Sequence, residues 1–270
     1  ASCTPPPMTS GSANAFWLQG LLCLYWGGVA ALSGCALVLP QHNRLRLVVE
    51  SCAARGGKSG VVSDAAASRT LGAVAQWQVP HAWFWHFYTL GTVWFAVVFT
   101  SSPRSDETLV LFLFLIHLLR RLLESTLQAR YKTGATMHAG AYLFGLTFYA
   151  AVAPTLAPQS VLYTLGLASQ NEMRPAFAWA DVSPRVALAL AAFACGSAEQ
   201  ARCHATLAAM KRRHGSDTRT MRSQYSPPRG GSFDSMSCAH YTCECVLYCG
   251  LTGLPSHSPL QRPELPLLLA

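Results

Sequence analysis

Charge-free apolar runs separated by shorter polar and basic stretches organise this chain. The first run, residues 15–40, reads AFWLQGLLCLYWGGVAALSGCALVLP and holds no Asp, Glu, Lys or Arg. A helix needs about 20 apolar residues, at about 1.5 Å rise each, to cross a bilayer, so this run predicts a spanning helix. Further runs follow at residues 83–100, 109–127, 135–157 and 186–208, with a shorter sixth at 236–254. Trp83, Phe84 and Trp85 open the second run, as aromatic residues do at a membrane interface. The Pro- and Ser-rich residues 1–14 predict a disordered tail, and four prolines within 255–270 predict an irregular one. No internal repeat or heptad is visible. The pattern predicts an all-α polytopic membrane helix bundle over residues 15–254 with about six spans.

Composition strengthens that reading. Hydrophobic residues make up 51% of the 270, and charged residues only 12%, about half the roughly 25% usual in soluble domains. Mean hydropathy is +0.25. Disorder of the whole chain is excluded, because disorder requires low hydrophobicity and high charge. The net charge of +8 is not the footprint of a nucleic-acid-binding surface, because the basic residues lie between apolar runs instead of clustering on a polar domain. Their distribution sets orientation. Segments 41–78, 128–134 and 209–235 hold thirteen Lys and Arg, whereas the N-terminal tail and the loops after the second and fourth runs hold three. Positive charge stays on the cytosolic side, so the N-terminus is expected outside the cytosol and the 209–235 loop within it.

Three polar features interrupt the apolar pattern. His117, Arg120, Arg121 and Glu124 fall at i, i+3, i+4 and i+7 on one face of the third run. Ionisable groups in a membrane helix cost a few kcal/mol each. This face is therefore either a snorkelling helix end or the wall of a polar pocket. Gln200, His204 and Lys211 form a stripe along the fifth run, which is either the helix leaving the membrane or a surface for an anionic cofactor on the cytosolic side. The stretch 225–244, YSPPRGGSFDSMSCAHYTCE, opens with a tight Pro-Pro-Arg-Gly-Gly turn around Arg229 and Gly230, and places His240 and Glu244 one helical turn apart. Cys238, Cys243, Cys245 and Cys249 do not follow the spacing of structural zinc sites, so no metal is expected.

Taken in order, these strings resemble the steroid 5α-reductase family, and within it the polyprenol (polyprenal) reductase branch. The residues that carry the resemblance are VPHAWFWHFYTLGTVWF (79–95), LFLIHLLRRLLES (113–125), MHAGAYLFGLTFY (137–149), the Gln200, His204 and Lys211 stripe, and the 225–244 stretch. The resemblance is strongest over 79–250. It implies a multi-pass reductase of the endoplasmic reticulum membrane that takes hydride from NADPH entering from the cytosol. In this reading Gln200, His204, Lys211, Arg229, Gly230, His240 and Glu244 hold the nucleotide. Arg120, Arg121, Glu124 and Trp83 are assigned to the substrate pocket. The implied substrate is a long-chain polyprenoid, whose α-isoprene unit is saturated on the way to dolichol for protein N-glycosylation. Beyond this lipid and the bilayer, neither a nucleic acid nor an obligate protein partner is implied.

The departures from the family also bear on function. The acidic residue and the Tyr that polarise the carbonyl in the steroid branch correspond here to Phe87 and Leu118. His117 and His86 are the neighbouring groups able to handle a proton. The family continues into a seventh helix, whereas this sequence runs into TGLPSHSPLQRPELPLLLA, so the expectation includes an inactive form. The alternatives are a 3-oxo-steroid or enoyl reductase of the same superfamily and a non-enzymatic membrane protein.

Overall fold

The computed structural model describes residues 10–39, 46, 77–128, 134–178, 182–215 and 227–254. Helices dominate it, as expected where lipid cannot satisfy backbone N–H and C=O groups. In chain order they are α1 (Ser10–Val38), α2 (Trp85–Ser101), α3 (Thr108–Leu123), α4 (Ala139–Leu156), α5 (Pro158–Thr164), α6 (Pro184–Gly215) and α7 (Ala239–Gly253). Two three-residue strands, β1 (Gln78–Pro80) and β2 (Thr136–His138), pair antiparallel, with Val79 opposite Met137. This small ladder ties the entry of α2 to the entry of α4, and a 3₁₀ turn at His81–Phe84 leads from it into α2. The apolar pattern did not foreshadow the ladder.

Among the described residues three helices are long and apolar enough to cross a membrane: Ser10–Cys35, His81–Ser101 and Ala139–Leu156. The other expected spans are helical too, but differ in kind. α3 and α7 have 16 and 15 residues, and α6 runs for 32 residues with charged side chains along it. α1 begins at Ser10, ahead of the apolar run and inside the segment expected to be disordered. Asn14 holds this start by donating from Nδ2 to the Leu167 carbonyl at 2.8 Å. The 255–270 tail lies outside the described residues.

Packing explains how the helices are placed. α1 buries little beyond Leu22 and Trp26 and exposes Trp17, Leu24 and Leu37, as a helix on the lipid side should. Trp26 anchors it, donating from Nε1 to Thr155 Oγ1 at 2.9 Å and meeting Phe148 edge-on at 5.5 Å. Phe95 of α2 and Phe114 of α3 pack with ring centroids 4.7 Å apart at the centre of the core, beside Val98, Leu111, Leu118 and Val152. α4 carries Pro154 and ends at Ala157 (φ −141°, ψ 63°), after which Pro158 starts α5. Glu107, just before α3, is fully buried and caps α5, accepting from the backbone N–H of Gln159 at 3.3 Å and of Ser160 at 2.8 Å.

α6 and α7 form the most extensive helix pair. They run antiparallel, with Gly196 facing Cys243 and Leu247, and Gly250 facing Ala189 and Phe193. A Cβ at Gly250 would lie 2.7 Å from both the Ala189 carbonyl oxygen and the Phe193 nitrogen, so only glycine permits this approach. Small residues at such crossings are how membrane helices gain contact. Gly250→Val should lower the melting temperature of the detergent-purified protein by several degrees, since overpacking costs about 1–3 kcal/mol. Gly28→Val, where an added Cβ meets nothing within 4 Å, should leave it unchanged. Equal melting curves for both variants would show that α6 and α7 are not held at backbone contact.

Candidate functional site

The polar residues of α3 gather at its C-terminal end, the end opposite Glu107. The helix passes there into a wider π-type turn, Glu124–Gln128, a feature common at functional sites. Glu124 is the hub. Its Oε1 accepts from Arg120 Nη1 at 2.5 Å, and its Oε2 accepts from Arg121 Nη1 at 2.7 Å. His204 of α6 places Nδ1 2.7 Å from the same Oε2. With the proton on Nδ1 the imidazole donates to the carboxylate, and its 2.6 Å approach to Arg121 Nη1 follows from both groups sharing one oxygen.

Each arginine carries the network to another helix. Arg120 Nη2 donates to Gln200 Oε1 on α6 at 2.5 Å. Gln200, fully buried, donates in turn from Nε2 to Glu244 Oε2 on α7 at 3.2 Å. The hydroxyl of Tyr248 donates to the other oxygen of Glu244 at 3.4 Å. Arg121 Nη2 donates to the hydroxyl of Tyr88 on α2, and its guanidinium lies 4.8 Å from the centre of that ring. Two arginines thus share a largely desolvated network with two carboxylates, Glu124 directly and Glu244 through Gln200, so that the formal charges balance.

His117 completes the group. It is 1% exposed and stacked on Phe114 at 5.4 Å. Arg120 Nη2 approaches its Nδ1 at 3.3 Å. A guanidinium only donates, so Nδ1 accepts and the ring proton sits on Nε2. That Nε2 is buried without a hydrogen-bond partner, as is Arg121 Nε. An unsatisfied buried donor costs about 1–3 kcal/mol, and an incoming polar ligand would recover it.

The third expected element adjoins this cluster. His240 lies 5.9 Å from His204, ring to ring, and 6.2 Å from Phe233. Phe233 belongs to a 3₁₀ turn, Gly231–Asp234, and packs into a small core with Cys203, Ala239 and Cys243. Ahead of it stand Arg229, exposed, and Gly230 at φ +96°, followed by Gly231 at φ +60°. Two successive positive φ values require glycine. Gly230 donates its N–H to Asp234 Oδ1 at 2.8 Å.

The fold therefore brings together Arg120, Arg121, Glu124, His117, Gln200, His204, His240 and Glu244. It sets His86 and Trp83 elsewhere. They face α4, where His86 Nδ1 lies 2.9 Å from the hydroxyl of Tyr142 and Trp83 packs 5.6 Å from that ring. Lys211 lies further along α6, but its side chain is outside the described residues. Phe87 and Leu118 are buried apolar core residues. Among the described residues no three His, Cys, Asp or Glu side chains converge on a metal site. Tyr88 and Tyr248 belong to the cluster although the sequence pattern did not single them out. Both sit within apolar runs, and nothing in their spacing separates them from ordinary core aromatics.

Residues 168–257 match the family described as 3-oxo-5-alpha-steroid 4-dehydrogenase. This stretch contains α6, the Arg229–Gly230 turn and α7. The all-α membrane helix fold is thus joined by a stretch similar to the steroid 5α-reductase family, in line with the resemblance read from the sequence. Curated relatives narrow the likeness to one branch. The chain is 27% identical to Polyprenal reductase 1 of Oryza sativa subsp. indica, over 87% of this chain and 83% of the relative. It is 29% identical to Polyprenal reductase 1 of Arabidopsis thaliana, over 64% and 65%, and 25% identical to Polyprenal reductase of Xenopus tropicalis, over 64% of each.

Glu124→Ala should be the most damaging change in the cluster, because it leaves two adjacent guanidinium groups without their carboxylate. Breaking a buried ion pair by removing one partner costs about 3–5 kcal/mol. Unfolding in detergent, followed by intrinsic fluorescence, should show a loss of this size, with Glu124→Gln less affected. An unchanged midpoint for Glu124→Ala would mean that the arginines are paired in some other way.

Proposed function

We propose that this protein is an NADPH-dependent reductase that saturates the α-isoprene double bond of a long-chain polyprenoid. Its product would feed dolichol for protein N-glycosylation in the endoplasmic reticulum membrane. The observation that carries this reading is the buried cluster joining α2, α3, α6 and α7, with the unpartnered Nε2–H of His117 at its heart. Similarity to several polyprenal reductases supports the substrate class. The positive-inside pattern supports a cytosolic position for the cluster end of α3 and for the 209–235 loop.

The residues present fit a nicotinamide dinucleotide. Its carboxamide and phosphates need both donors and acceptors, and the cluster and the adjoining turn offer both. Gln200, His204, His240 and Glu244 would face it from α6 and α7, and Arg229, Gly230 and Lys211 would meet its charged portion. When bound, NADPH supplies the hydride. An aldehyde-level substrate suits this chemistry, because a double bond conjugated with a carbonyl accepts hydride far more readily than an allylic alcohol does.

The protein's own part is to hold a polar head group and manage one proton. His117 Nε2–H and the Tyr88 hydroxyl are buried groups able to present a proton, the first fixed in its tautomer by Arg120 and the second oriented by Arg121. Burial strengthens such donors because no water competes for them. The apolar surroundings of Phe87 and Leu118 exclude water without offering an acid. They argue against a steroid pocket that depends on an acid and a Tyr at those two positions.

Membranes carrying this chain should convert a polyprenal to its α-saturated product when NADPH is supplied, and should not do so without it. Absence of product under both conditions would remove the reductase reading. His117→Ala is expected to lower turnover by about 10²-fold, the lower end of what positioned proton transfer contributes, and Tyr88→Phe to lower it less. His204→Ala should raise the Kd for NADPH more than it lowers the melting temperature. A wild-type rate for His117→Ala would leave that imidazole a structural group.

A further inference from the structure

The turn that carries Arg229 and Gly230 is fastened to α6 by a contact outside the cluster described above. Ser232 Oγ donates to Glu199 Oε1 at 2.5 Å. Glu199 stands next to Gln200 on α6, but on the solvent side, its side chain 31% exposed. On the inner side of the same turn, Phe233 is buried against Cys203 and Cys243. The turn therefore has two fixings, a side-chain clasp outside and an aromatic plug inside. Between them Gly230 and Gly231 keep their positive φ, and Asp234 holds the Gly230 N–H. Phe233 seats the inner side of the turn, and the clasp ties its outer side to α6.

We propose that Glu199 is a positioning residue, holding the Arg229–Gly230 turn against α6 so that a dinucleotide phosphate meets a turn already in place. This rests on the nucleotide reading above. A carboxylate beside a phosphate site would ordinarily repel the ligand. Here Arg202 Nη1 lies 3.4 Å from Glu199 Oε2 and offsets that charge, while Oε1 is turned to Ser232. The role needs an acceptor for the Ser232 hydroxyl and does not need the negative charge. Glu199→Gln should therefore keep the function, and Glu199→Ala should lose it.

The test uses the full chain in detergent. Hydrogen exchange over 227–238 and the Kd for NADPH are measured for wild type, Glu199→Ala, Glu199→Gln and Ser232→Ala, with melting temperature as a control. Glu199→Ala and Ser232→Ala should each speed exchange in 227–238 and raise the Kd and KM for NADPH about tenfold, leaving kcat and the melting temperature near wild type. Glu199→Gln should match wild type or bind slightly more tightly. Unchanged exchange in Glu199→Ala, or a Glu199→Gln variant as impaired as the alanine one, would overturn the proposal. Faster exchange with an unchanged Kd would likewise overturn the positioning role. A wild-type chain that binds no NADPH would sink the nucleotide reading itself, and the positioning role with it. Exchange in 227–238 would then still show whether Glu199 holds the turn.

Discussion

Two arginines next to each other in a water-poor helix bundle have to find a carboxylate, and everything at the polar end of this molecule follows from that requirement. Glu124 meets it from the same helix, one turn away, and accepts from both Arg120 and Arg121. Taking these charges out of water is expensive. The arrangement persists because the other guanidinium nitrogens, Arg120 Nη2 and Arg121 Nη2, also find partners, and those partners lead to different helices. Tyr88 brings in α2, Gln200 and His204 bring in α6, and Glu244 brings in α7 through Gln200. The ionic requirement of one helix end thus determines how four helices meet.

The opposite end of α3 is held by different means. Glu107 caps α5, and the aromatic contact between Phe95 and Phe114 fills the middle. α3 is therefore fixed at both ends, about 24 Å apart for 16 residues at 1.5 Å rise. The β1–β2 ladder joins the entries of its two neighbours, α2 and α4. Such a frame leaves little freedom for the cluster to loosen, and preorganised donors in a low-dielectric site are what proton-handling chemistry uses most effectively.

The sequence made part of this legible. His117, Arg120, Arg121 and Glu124 stood out because charge in an apolar run is costly, and their spacing put them on one face. The stripe of Gln200 and His204 showed itself in the same way. What periodicity along one helix could not show was how the faces pair, since Arg120 and Gln200 are 80 residues apart. Tyr88 and Tyr248 stayed hidden because an aromatic residue in an apolar run looks like core until a charged group is found beside it. Glu199 and Ser232 were silent for another reason: both are ordinary surface residue types, and only the fold of the turn makes them neighbours. His86 and Trp83 show the converse. They lie within a string that resembles the family, yet Trp83, in the turn before α2, and His86, in its first turn, meet Tyr142 of α4 while Tyr88 meets Arg121.

The backbone contact between α6 and α7 also bears on how the protein is made. α7 has 15 residues, short of the roughly 20 that cross a bilayer, and it carries His240 and Glu244. Alone it would be a poor candidate for insertion, because an ionisable side chain in lipid costs a few kcal/mol. α6 leaves the ribosome first and already displays Gln200 for Glu244 and the groove at Ala189 and Phe193 into which Gly250 fits. Packed against α6, α7 has Glu244 matched by Gln200, which lowers the cost of holding that carboxyl away from water. The glycines that bring the two backbones together thereby also keep Glu244 within reach of Gln200.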